Sequence, residues 1–101
     1  MVANKQDVID LLRKNSETFQ GFGIKRIGVF GSFISGEQTE KSDVDLLIEF
    51  EKTKKTFQNF MGTANFAESI LERNVDILTP ESLSPYIAPY IERNIEYVKI
   101  S

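Results

Sequence analysis

The run Val44–Phe50 (VDLLIEF) constrains this chain more than any other segment. It reads as a strand, because five of its seven residues are apolar and four alternate positions are large. Period two puts Val44, Leu46, Ile48 and Phe50 on one face. Asp43, Asp45, Leu47 and Glu49 share the other. The strand therefore asks for a sheet with helices over one face, while its opposite face opens with two carboxylates.

The rest of the chain supplies such a sheet. Residues 4–15 predict a helix with Asn4 as N-cap and with Val8, Leu11 and Leu12 at helical spacing. Ser16–Gly23 adds a short turn before Gly21 and Gly23 break it. Ile24–Phe30 predicts a strand that Gly31 ends. Ser32–Gly36 has the length of one helical turn, capped by Gly36. Thr56–Arg73 predicts a long helix with a stripe of Phe57, Phe60, Met61, Ala64, Ala67 and Leu71, and Phe66 and Ile70 partly off it. Val75–Leu78 (VDIL) predicts a third strand, and Pro85 to about Asn94 a last helix with proline in its first turn. Glu96–Ile100 reads equally as an edge strand or a helix tail. The order predicts an α+β, two-layer fold: a small mixed sheet with helices packed on one face, in one domain spanning 1–101.

Composition narrows the chemistry. The 101 residues include neither cysteine nor histidine. That removes disulfides, thiolate sites, imidazole bases and His-bound zinc. Catalysis here would fall to carboxylates, hydroxyls, Lys, Arg or Tyr. With 12 basic and 15 acidic residues the net charge is −3, which argues against gripping a long nucleic acid through its phosphates. No segment approaches the roughly 20 apolar residues of a membrane span, and MVANKQDVID has no apolar signal core. The expected location is the cytoplasm.

The informative stretch is VFGSFISGEQTEKSDVDLLIEF, residues 29–50. Carboxylates at i and i+2 of a strand point to one side, about 7 Å apart along the chain. They repel unless a cation lies between them, and hard oxygen donors suit Mg²⁺ shared with substrate phosphates. Gly31 lets backbone approach a phosphate closely, and Ser32 offers a hydroxyl and an amide. If VDIL lies beside VDLLIEF, Asp76 faces the same pocket, as a further ligand or as acceptor of a hydroxyl proton. Taken singly, each feature is an ordinary turn or solvated acid; the combination in this order is far more specific.

That combination, Gly31-Ser32, then Asp43-x-Asp45 between Val44 and Leu46, then Asp76 within VDIL, resembles the polymerase-β-type nucleotidyltransferase signature. The size, and the tail VDILTPESLSPYIAPYIERNIEYV, are similar to the minimal nucleotidyltransferases of the MNT (MntA-like) family. The resemblance covers residues 24–98. It implies a polymerase-β-like fold, with Asp43, Asp45 and Asp76 holding two Mg²⁺ ions and Gly31 and Ser32 holding the β- and γ-phosphates of ATP. It implies attack of a hydroxyl on the α-phosphate, helped by Asp76. It further implies an antitoxin that transfers AMP to a tyrosine of a helical HEPN-type toxin. The sequence departs from the family at GSFISG, where Phe33 and Ser35 stand at positions commonly held by Arg, the natural fork for phosphate.

Two other classes stay open at this stage. One is a non-catalytic binding module that neutralises its partner by contact. The other is a transferase acting on a small molecule, although such enzymes generally carry a further domain. Lys41 reads as a solvated lysine sooner than as a substitute phosphate ligand. Tyr86, Tyr90 and Tyr97 read as core or interface residues, and EKTKK (51–55) as a solvated turn. With so little chain to grip base and acceptor, a partner or a second copy would complete the surface.

Overall fold

The computed structural model describes residues 2–101. Strands β1 (Ile24–Phe30), β2 (Val44–Phe50), β3 (Val75–Leu78) and β4 (Glu96–Lys99) form one sheet in the order β3-β2-β1-β4. β1 runs antiparallel to both β2 and β4, while β2 and β3 are parallel. Parallel neighbours need a crossover, and helix α4 (Phe57–Leu71) provides it. The sheet is therefore mixed, as the alternation of elements predicted, and the tail resolves as edge strand β4.

Helix α1 (Lys5–Lys14) starts where expected: the Asn4 side chain accepts from the Asp7 amide. Helix α2 (Ser16–Gly21) follows at once. With α4 it covers one face of the sheet, over a core that includes Leu12, Phe19, Ile27, Val29, Leu46, Ile48 and Leu71. Ile24 joins that core although it sits an odd number of residues from Ile27. The register slips between Ile24 and Arg26 opposite β2, and this bulge restores Ile24 to the inner face.

Two expectations are corrected. The buried face of α4 is Thr63, Ala67 and Leu71, with Phe66 and Ile70 packed partly against the core. Phe57 and Met61 instead face outward, 79% and 40% exposed. Contacts with α2 and the residue that follows it set this rotation. Gly62 lies so close to Phe22 that a Cβ there would come within 2.5 Å of its ring, and Phe66 packs edge-on against Phe19 at 5.1 Å. Thr63 fits the inner face because its hydroxyl donates to the Asn59 carbonyl at 2.7 Å. The last helix, α5 (Ala88–Arg93), begins three residues later than Pro85. Pro89 has no amide to donate, so it must fall in a first helical turn; a turn closed by Ser84 takes up the interval.

The opposite face of the sheet is partly open. Arg26 crosses it, bonded to Glu49 at 2.6 Å and lying 3.7 Å over the Tyr97 ring, which links β2, β1 and β4. Among the described residues, no helix is long and apolar enough to cross a membrane.

Candidate active site

Strand directions bring the candidate residues to one rim. An antiparallel β1–β2 pair puts the end of β1 beside the start of β2, and the parallel β3 starts at the same level. Phe30 pairs with Asp45, and Asp45 pairs with Asp76. Asp45 thus stands between Gly31, which follows β1, and Asp76 on β3.

Gly31 has φ 78° and ψ −149°, a backbone that L side chains rarely adopt. A Cβ there would strike Asp45 Oδ2 and lie 3.0 Å from its Cγ. The missing side chain is the space that the Asp45 carboxylate occupies. Directly after it, helix α3 (Ser32–Ser35) makes the single turn that the sequence predicted. Gly36, at φ 82°, closes it with its amide donating to the Ser32 carbonyl at 3.0 Å. The first amides of such a turn have no acceptor within it and are available to a ligand.

The electrostatics follow from this crowding. Asp45 is half-buried, and burial together with the nearby charges of Asp76 and Asp43 pushes its pKa from 3.8 to about 6. No cation is among the groups acting on it. Asp43 and Asp76 are exposed, Asp43 just before β2 and Asp76 within β3. Asp45 and Asp76 are thus opposite each other on neighbouring strands, with the Asp43 charge acting on Asp45 through space. Among the described residues, no three acids already converge on one point as a cluster of metal ligands. The donor set nevertheless fits a divalent cation: three hard carboxylates near one rim, with Asp45 burdened by the charges of the other two.

Beside this rim lies a cleft of about 390 Å³, lined by Gly31, Ser32, Ser35, Tyr90, Ile91 and Asn94 among others. Tyr90 and Tyr86 are largely exposed and so do not belong to the core, whereas Tyr97 lies beneath Arg26. Lys41 is exposed in the loop before Asp43. Sequence reasoning missed Tyr90 and Asn94 as lining residues, since α5 reaches the cleft only through the fold. It also missed Arg73, whose guanidinium binds the carbonyls of Val2, Thr39 and Ser42. Its place at the end of a helical pattern gave no signal of those distant partners.

Comparison with known proteins places the fold. A family model described as "Nucleotidyltransferase domain" matches residues 8–99. The protein adenylyltransferase MntA of Thermococcus cleftensis is 36% identical over 88 residues, covering 87% of this chain and 88% of that one. A solved structure assigned as a minimal nucleotidyltransferase superposes with a TM-score of 0.70 at 30% identity, covering 87% of this chain and 93% of that one. The fold alone is shared with a Shewanella oneidensis structure of a tri-AMPylated HEPN toxin in complex with an MNT antitoxin. There the TM-score is 0.56 at 21% identity, over 93% of this chain and 67% of that one. The chain belongs to the nucleotidyltransferase domain family, in its minimal nucleotidyltransferase branch, and has the polymerase-β-like fold of that group. It is an enzyme of the nucleotidyltransferase class.

Proposed function

We propose that this chain, acting as a single domain, transfers AMP from ATP to a hydroxyl of a partner protein. The observation that carries the reading is the Asp45–Asp76 pair, joined by Asp43 at one rim and backed by Gly31, whose missing Cβ makes room for the Asp45 carboxylate. Gly31 and Ser32 hold the β- and γ-phosphates through the amides and hydroxyl at the start of α3. Asp43, Asp45 and Asp76 are the ligands for two Mg²⁺ ions, which when bound neutralise the triphosphate and polarise its α-phosphorus. Asp76, the exposed acid opposite Asp45 on β3, accepts the proton of the incoming hydroxyl. The new bond joins that oxygen to the α-phosphorus, the bond to the bridging oxygen breaks, and pyrophosphate leaves with its electron pair.

The acceptor in this reading is a tyrosine of a helical HEPN-type toxin, and the chain is its antitoxin. Support comes from the adenylyltransferase named above and from the AMPylated toxin complex that shares the fold. A specific observation favours a second reading. α3 carries Phe33 and Ser35 in place of guanidinium forks, and Phe33 is turned into the core. A chain with a weakened phosphate turn could neutralise its partner by contact alone.

Intact mass separates the two. The protein encoded beside this one is incubated with Mg-ATP and either wild type or the double variant Asp43→Asn/Asp45→Asn. One or more AMP units gained with wild type alone supports transfer. A stable complex without mass gain, across all four NTPs, supports neutralisation by contact.

A further inference from the structure

The segments that carry Ser32, Asp43 and Asp76 meet at one side chain that the transfer chemistry does not use. Arg73 lies between α4 and β3, three residues before Asp76. Its Nε donates to the Val2 carbonyl, and its Nη1 donates to the carbonyls of Thr39 and Ser42, each at 2.9 Å. Ser42 directly precedes Asp43. The guanidinium carbon lies 5.0 Å over the ring of Phe33, the buried side chain that follows Ser32. Next along the chain, the Asn74 carbonyl accepts from the Val44 amide at 3.0 Å, which fixes the other side of Asp43.

We infer that Arg73 is a positioning residue that holds the loop before Asp43 and the turn bearing Ser32 in register with Asp76. The loop of residues 37–43 has no regular structure, and most of it is exposed. Its other ties are weaker or local: Gln38 Nε2 donates to the Ala3 carbonyl at 3.3 Å, and Thr39 and Ser42 bond each other. A planar guanidinium can bridge three carbonyls while stacking on a ring; a lysine ammonium cannot reproduce that fork. Phe33 then gains a role of its own. In this chain the ring lies beneath an arginine whose fork faces the loop.

The inference rests on the reading of Ser32, Asp43 and Asp76 as site residues, and the test keeps the two apart. Wild type and Arg73→Lys are compared by amide hydrogen exchange, thermal melting, and calorimetric binding of Mn²⁺ with a non-hydrolysable ATP analogue. Arg73→Lys is expected to melt within a few degrees of wild type and leave exchange in β1 and β2 unchanged. It should speed exchange in residues 31–43 and weaken Mn²⁺ binding about tenfold, as loss of a residue that orients ligands does. Unchanged exchange over 31–43 overturns the inference. So does faster exchange with Mn²⁺ affinity within twofold of wild type, because the tie would then be structural only. If Arg73→Lys fails to fold, Phe33→Leu carries the test: removing the ring should loosen 31–36 and weaken Mn²⁺ binding about threefold, and an unchanged affinity overturns it. Wild type that binds neither Mn²⁺ nor nucleotide sinks the transfer reading, while the exchange data still decide whether Arg73 holds the loop.

Discussion

Gly31 and Asp45 are fitted to each other, and the fit makes both sensitive to change. Gly31→Ala puts a Cβ against the Asp45 carboxylate at a positive φ. It should lower stability by about 1–3 kcal/mol in urea unfolding and abolish transfer. Gly21→Ala is the control: space there is open and the site is helical, so stability should rise by up to about 1 kcal/mol. Asp45 also sets a pH dependence. Its folded pKa of about 6 lies above the ordinary 3.8, so between these values the folded state holds the proton more tightly. Without metal, Asp45 therefore costs stability as pH rises from about 4 to about 6, and the full cost remains above that. Asp45→Asn removes it. In EDTA the variant should melt higher than wild type at pH 7, and the difference should close toward pH 4. A difference that stays constant with pH would mean that Asp45 is not strained in the fold. At this scale the sequence was informative where spacing alone sets geometry. Asp45 lies opposite Asp76 on β3, and Gly31 abuts the Asp45 carboxylate. Arg73 was illegible because its partners are backbone carbonyls far away in sequence, and any residue type could supply those.

The elements differ in how clearly their residues announce them. β1, β2 and β3 match their sequence bounds because apolar alternation is interrupted sharply by Gly31, by the charged 51–55 segment and by Thr79-Pro80. β4 was ambiguous, since four residues with one buried side chain fit a strand or a helix tail equally well. The extent of α4 was nearly right, but its rotation was not. Periodicity offered a wide apolar face, and only contact with Phe19 and Phe22 chose the part that turns inward. Stability measurements can check that rotation. Leu71→Ala should cost about 2–5 kcal/mol and Phe57→Ala less than about 0.5 kcal/mol, the reverse of what side-chain size suggests.

For the whole molecule, the mixed sheet under one helical layer was predictable from the order of elements, because parallel β2 and β3 need the α4 crossover between them. The cleft was not, since its far wall comes from α5, whose start depended on Pro89. The proposed site couples to global stability. Adding Mg-ATP at pH 7 should raise the melting temperature with ligand concentration, by an amount equivalent to about 2.7 kcal/mol at one hundred times Kd. Asp43→Asn/Asp45→Asn should lose that increment. A wild type whose melting point ignores Mg-ATP would show that the acids do not take up the nucleotide complex.

The parallel β2–β3 pairing also has a consequence in time. β1 and β2 are joined by a short excursion through α3 and pair without help from later sequence. β3 reaches β2 only after α4 has been made and laid across the sheet, and such non-local pairing forms slowly. On a ribosome, Asp43 and Asp45 therefore leave the tunnel ahead of Asp76. The unfavourable meeting of acids is deferred to a late docking event, after the hairpin is in place. Refolding should show the same order: β1–β2 amides become protected first, and β3 amides later, in a phase that divalent cations accelerate.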